Sequence, residues 1–453
     1  MHSKFRIARP SAVIGRLILI GCSVAALSAC GIIGGSKKPQ STTPVVGNRS
    51  SILGSNQVIE VDPAIATVPV ALPAPETNAD WPQPGGGATK AVGNVEIGRN
   101  LGRLWTQNIA GGGKRARLAS EPIISGGRVF VIDTNATVHA LDARTGASIW
   151  TASVQTGNDN RKAEFGGGVS TDGDRVYVST GVGDVAALSF ADGKQLWKVR
   201  PGGPLRGAAT LANGHVYVMS QDNQIFALSQ ADGSVVWTDG GTVQATAIFG
   251  VGAPAASQGT VIAGYSSGEL TAYRYENGRV LWGDALSRTS ISTSVAALMD
   301  IDANPVIDRG RVFAIGQGGR MASYELVSGQ RLWEINIAGV ATPVVAGDWV
   351  FVVTDNSRLL CVERATGRIR WISQLKNYHN IKKKSGIVRW HGPLLGSGRL
   401  ILVSTDGDLT DVDPETGNIR SQINIGQSMS LPPVAAGGIV YILTDEGRLI
   451  AFK

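Results

Sequence analysis

From about residue 94 onward the chain alternates apolar and polar positions in short runs, and the runs are punctuated by glycine and by Asn or Asp turns. The stretch EPIISGGRVFVIDTNATVHALDARTGASIW (121–150) shows the pattern. Its period-2 apolar runs break at GG, TNA and RTG, which predicts four short strands. The closing phrase of that unit recurs as LSFADGKQLW (188–197), LSQADGSVVW (228–237), YRYENGRVLW (273–282), YELVSGQRLW (324–333) and VERATGRIRW (362–371). Copies at a spacing of roughly 40 to 50 residues predict a radial or solenoidal array, so chain length says little about domain number here.

Counting the copies predicts how the array closes. VDPETGNIRS (412–421) is a seventh unit without the terminal Trp, NLGRLW (100–105) is a last strand without a beginning, and TDEGRLIAFK (444–453) is a unit without its last strand. Pairing of the AFK terminus with the strand around Trp105 makes the eighth. The expected fold is all-β: an eight-bladed β-propeller of four-stranded antiparallel blades over residues 94–453, with the N- and C-terminal strands shutting the ring and leaving few open edges. The pairs Thr145-Gly146, Asp192-Gly193, Asp232-Gly233, Thr366-Gly367 and Thr416-Gly417 supply positive φ for the hairpin before each outer strand. The Trp residues that follow are expected to wedge one blade against the next, because a large ring buried between sheets contributes more to packing than anything else in the phrase.

The first residues change the picture of where the ring works. Lys4, Arg6, Arg9 and Arg16 precede the apolar run LILIGCSVAAL (17–27), too short for a confident membrane span and suited to a secretory signal. It ends in Leu27-Ser28-Ala29-Cys30, which resembles the lipobox of bacterial lipoproteins. That resemblance implies cleavage before Cys30, lipid on its thiol and amine, and, with Gly31 in place of a retaining Asp, sorting to the outer membrane with the ring facing the periplasm. Removing residues 1–29 takes four basic groups and lowers the formal charge from +7 to +3, so nucleic acid loses its main support as a partner. Of the three cysteines, Cys22 leaves with the signal, Cys30 is the anchor and Cys361 stands alone in a strand, so no internal disulfide is expected. Residues 30–93, rich in Pro, Ser, Thr and Gly, are expected to be a tether, with Val58–Val70 as an alternative partner-binding segment.

Several strings imitate chemistry. Gly264-Tyr265-Ser266-Ser267-Gly268 fits G-x-S-x-G, but the repeat places Ser266 in a turn between strands with no helix to follow. Asp300-Ile301-Asp302-Ala303-Asn304 starts like a calcium loop, yet Pro305 stands at the glycine position and Arg311 at the final glutamate. Gly181-Val182-Gly183-Asp184-Val185-Ala186 lies in another blade turn. The five histidines lack metal spacing, and Lys382-Lys383-Lys384 is expected to be a solvated loop rather than an anion site. No catalytic residue, metal or cofactor is expected.

The A-x-D-x-x-T-G-x-x-x-W phrase is similar to that of the quinoprotein-like eight-bladed propellers. These include PQQ-dependent dehydrogenases and the non-enzymatic BamB lipoproteins of the outer-membrane β-barrel assembly (BAM) machinery. Lipobox, Pro-rich leader and bare ring together resemble the BamB branch. The resemblance implies a scaffold that binds the POTRA domains of BamA alongside other BAM subunits and aids insertion of β-barrel precursors, with the unfolded precursors themselves as a further implied partner. Carried over by position, it implies contact through Asp300 and Asp302, with Thr246, Ile248 and Phe249 as neighbours. Phe249 and Thr246 depart from the Arg and Leu that the resemblance leads one to expect. The connections into adjacent blades share one face, so 246–252 and 300–302 are expected to form one patch of exposed carboxylates and apolar groups, enlarged by 283–299 and 372–388. Such a patch suits a basic partner, through side-chain pairing or added strands. The competing readings are turn-capping aspartates, a PQQ-dependent periplasmic dehydrogenase, and a glycan-binding propeller. The dehydrogenase reading lacks the vicinal cysteines and long insertions that build a cofactor funnel.

Overall fold

Each repeat folds into its own antiparallel sheet. In the first blade the strands Ile123–Ser125, Arg128–Ile132, Thr137–Asp142 and Ser148–Ser153 lie side by side in chain order. The computed structural model describes residues 59–113, 116–155, 166–205, 207–243, 252–286 and 299–453. Eight four-stranded sheets result, seven from consecutive strands. The eighth joins Val434–Ala436, Ile439–Leu443 and Arg448–Phe452 to Arg103–Asn108 from the start of the ring. Trp105 lies opposite Ala451, and Gly102 and Lys453 exchange both backbone hydrogen bonds (3.0 and 2.9 Å), so the predicted closure is realised. The short first strands pack around the axis. Second strands such as Arg128–Ile132 and Trp349–Val353 are sandwiched between neighbouring blades, which is why they read as continuous apolar runs. Fourth strands such as Ser148–Ser153 and Val235–Gly240 face solvent on one side and alternate instead.

Two repeated devices join blade to blade. The rings of Trp105, Trp150, Trp197, Trp237, Trp282, Trp333 and Trp371 lie on Gly146, Gly193, Gly233, Gly278, Gly329, Gly367 and Gly417 of the next blade, where an added Cβ would come within 2.4–2.8 Å of the indole. The same glycines hold φ between 69° and 77°, so both the turn and the close approach require them. Each indole N–H also donates to a carbonyl of that next blade, from Trp237 to Tyr275 at 2.7 Å to Trp150 to Phe190 at 3.2 Å. The second device was not read from the sequence. Arg128, Arg175 and Arg311 open second strands and reach the carbonyls of Phe190, Gln230 and Arg364 in the following blade. At the seam between seventh and eighth blades Ser421 occupies the tryptophan position. There Arg399 donates to the carbonyls of Gly98 and, at 2.8 Å, Arg99, binding the chain's first and last parts together.

The tether assigned to 30–93 is corrected from residue 59 onward. Residues 59–98 run across the ring as a strap on the face that carries the turns between first and second strands. Ile65, Val70 and Trp81 are buried. Trp81 exchanges backbone hydrogen bonds with Ile124 of the first blade (2.7 and 2.9 Å), and the carbonyl of Pro82 accepts from Thr171 of the second. Gln83 brackets the backbone of Leu211 in the third blade. Ala88 and Thr89 accept from Ala256 and Ile307 of the fourth and fifth, and Val95 donates to Leu395 of the seventh. Composition misled because it weighs only the apolar surface a segment brings itself. Here the blades supply the apolar partner, and their innermost strands supply an unpaired edge for the strap to satisfy. The alternative for Val58–Val70 fares likewise: Ile65 and Val70 pack beside Trp349 and Phe351 of this same ring.

Candidate partner-docking face

The opposite mouth carries the turns between second and third strands and the connections that enter each blade. Gly264–Gly268 is such a turn, closed by the Gly268 amide on the Tyr265 carbonyl (3.0 Å), and Gly181–Asp184 is another, so neither imitates its motif in three dimensions. The predicted docking residues Asp300 and Asp302 sit on the connection into the fifth blade, whose first strand is Val306–Asp308. The Ile301 amide donates to Tyr265 of the fourth blade (3.2 Å), and the Asp300 carbonyl accepts from Gln317 (2.9 Å). Asn304 accepts from the Ala253 amide (2.7 Å) and donates to Thr342 (3.0 Å) at the sixth blade. A Cβ on Gly252 would come within 2.4 Å of the Ala303 carbonyl oxygen. The described end of the fourth-blade opening therefore lies against residues 301–304, as expected for neighbouring entrances.

Exposure is the point of correction. Asp300 is 1% exposed, and Asp302 is half-buried with one carboxylate oxygen shielded from solvent. The connection is pressed between the ends of three blades, so Asp300, Ile301 and Ala303 are all covered whichever way they point. Of the two predicted aspartates, Asp302 is the one that retains a surface for a partner. Thr246, Ile248 and Phe249 lie outside the described residues.

Acidic groups recur around this mouth because the turn phrase repeats. Asp133 accepts from the amides of Asn135 and Thr137 and meets His139 at 3.0 Å. Asp184 pairs with Lys198 (3.0 Å) and Arg200 (2.8 Å). Asp445 holds Ser428 and Ser430. Burial pushes the Asp355 carboxyl up, against the pull of Arg389. Asp406 of the seventh blade binds Lys376 and, at 2.6 Å, His379. Burial opposes its ionisation, but those two partners outweigh burial and hold its carboxyl below the usual range.

The strapped mouth has a different chemistry. Lys90, buried at the rim with φ of 63°, donates to the Thr210 hydroxyl (3.0 Å), and Glu121 nearby accepts from the Gly85 amide (2.9 Å). Burial lowers the Lys90 ammonium to about 7, partly offset by the Glu121 charge. Sequence reasoning missed this residue, since a single lysine in a Pro/Gly-rich leader carries no signal until the leader is seen to fold back. Among the described residues no group of three or more His, Cys, Asp or Glu could hold a metal ion.

A sequence profile described as "Outer membrane protein assembly factor BamB" matches residues 95–161 and 134–373. The chain belongs to the BamB family. Proteins of that name from Yersinia pestis (27% identical, covering 77% of this chain and 88% of the relative) and Burkholderia pseudomallei (28%, covering 78% and 87%) are similar to it. Among solved structures, BamB from Moraxella catarrhalis superposes with a TM-score of 0.65 over 78% of this chain and 100% of that one, at 16% identity. Quinohemoprotein alcohol dehydrogenase from Comamonas testosteroni reaches 0.63 over 83% and 80%, at 14% identity. At such identities both likenesses speak to the eight-bladed fold alone. The family name attaches its members to assembly of outer membrane proteins. The profile match begins at 95 and stops at 373, so most of the strap and the 376–388 connection lie outside it.

Proposed function

We propose that this chain is a non-enzymatic lipoprotein scaffold of the BAM complex, anchored in the outer membrane through Cys30 and facing the periplasm. Its unstrapped face holds the POTRA domains of BamA while β-barrel proteins are inserted. The observation that carries this reading is the asymmetry of the ring. One mouth is covered by the chain's own strap, and the other offers the clustered blade entrances, with Asp302 at their edge. Asp302, next to Ala303 where the Gly252 backbone packs, suits a partner with a basic contact surface. Membership of the BamB family and the lipobox-like Leu27-Ser28-Ala29-Cys30 support the same placement.

Co-purification with BamA tests it. Asp302→Arg is the informative variant, because Asp300 is buried and its replacement disturbs the fold. Reduced recovery of BamA with an unchanged melting temperature supports the patch; equal recovery rejects it. Cys30→Ala is expected to abolish lipid labelling and release the chain from the membrane.

A further inference from the structure

The connection between the sixth and seventh blades forms a separate two-stranded hairpin, Tyr378–Asn380 with Ser385–Ile387. Its base is fixed. Asp406 grips Lys376 and His379, the Trp390 indole donates to the Lys376 carbonyl (2.8 Å), and the Val388 amide donates to Asn377 (3.1 Å). The turn is also defined, with the Lys383 amide on the Asn380 side chain (3.0 Å) and Lys384 at φ 48°. On this firm support the tip presents Lys382, Lys383 and Lys384 to solvent beside Ile381 (67% exposed), and Ile387 (63% exposed) stands on the second strand opposite Tyr378. Among the described residues none of the three ammonium groups has a carboxylate at ion-pair distance.

We propose that this hairpin is a membrane-facing finger that rests its lysines on anionic phospholipid headgroups and sets Ile381 and Ile387 into the interfacial layer. Clustered lysines with adjacent aliphatic groups are the chemistry of a lipid–water interface, where each lysine near an anionic surface adds attraction and each aliphatic chain adds burial. An acidic protein surface fits less well. Protein interfaces favour aromatic residues and Arg over Lys, and the turn 381–385 has neither. Residues 31–58 reach at most about 90–100 Å when fully extended, more than enough for either face of the ring to meet the bilayer that would hold Cys30. The finger sits at the sixth-to-seventh junction and Asp302 at the entrance to the fifth blade, so lipid and partner can be held together.

The test uses the compact unit from Gln57 to Lys453, which contains the closed ring and its strap and carries no lipid. Sedimentation with vesicles of phosphatidylethanolamine and phosphatidylglycerol is expected to show binding that weakens with salt, and vesicles of phosphatidylcholine alone should leave the protein in solution. Lys382→Gln, Lys383→Gln and Lys384→Gln together are expected to weaken partition on the order of a hundredfold. Ile381→Ser with Ile387→Ser should cost about tenfold or more and leave the salt dependence unchanged. Asp302→Arg should bind vesicles as the wild type does, which separates this proposal from the docking of BamA. Absence of wild-type binding to the anionic vesicles, or equal binding by the triple-lysine variant, overturns the finger. Loss of BamA co-purification from that variant with vesicle binding intact also overturns it, in favour of an acidic protein contact.

Discussion

The two mouths of the ring are built from the same eight repeats and have opposite characters. On the strapped side, residues 59–98 pair with innermost strands around most of the circle, bury Trp81 and trap Lys90. On the other side the turns and connections differ from blade to blade in length and charge, and the firm hairpin at 376–388 projects from it. One face is closed by backbone pairing with a distant segment, while the other is closed locally by side chains of its own turns, such as Asp133, Asp184 and Asp406.

The largest way to erase this contrast is to open the ring that supports both faces. Deleting residues 444–453 removes the strand Arg448–Phe452, in which Leu449, Ile450 and Phe452 are at most 2% exposed. A loss on the order of 5–9 kcal/mol is expected from that burial, seen as loss of a single cooperative melt. An unchanged melting curve would show that closure is not what holds the blades. Trp81→Ala strikes the strapped face alone and should cost about 3–5 kcal/mol in chemical denaturation. It should also release the amides of Ile124, Thr171, Ala256 and Ile307 in hydrogen exchange, while strand interiors stay protected; uniform protection would show that the strap is held elsewhere.

Lys90 sharpens the contrast through pH. Its folded value of about 7 lies below the ordinary 10.5, so between these values the unfolded chain binds more protons than the folded one. The cost of burying it is absent above about pH 10.5 and grows as pH falls toward 7, so stability should rise with pH across that window. Lys90→Met is expected to flatten this slope and to stabilise the chain by about 2–4 kcal/mol at neutral pH. An identical slope in the variant would assign the titration to another group. On the open face the effects should be small. Asp406→Asn is expected to cost about 1 kcal/mol or less. It should speed hydrogen exchange at Val388 without touching the strap.

Legibility followed the range of the interactions. The hairpin glycines, the wedge Trp residues and the split eighth blade were all readable, because each is enforced within a repeat or between neighbouring repeats and so recurs in the chain. The same periodicity placed Ser266 and Asp184 in turns between second and third strands, where they lie. The arginine clasp of Arg128, Arg175 and Arg311 recurs too, in R-V-F and R-V-Y phrases, and was there to be read. The candidate face was less legible: Asp300 and Asp302 do open the fifth blade, but the burial of Asp300 was not foreseen.

By itself the sequence determined the all-β class, the number of blades and the manner of closure, since short-range alternation and a fixed repeat leave one economical arrangement. Tertiary structure alone decided that residues 59–93 bind as a strap, that Lys90 is buried, that Asp300 is hidden while Asp302 is not, and that the lysine tip stands on a braced hairpin. Each of these depends on contacts between residues that are distant or unrepeated in the chain. A burial or a hydrogen bond of that kind is a property of two surfaces meeting, and neither surface announces the other in its own composition.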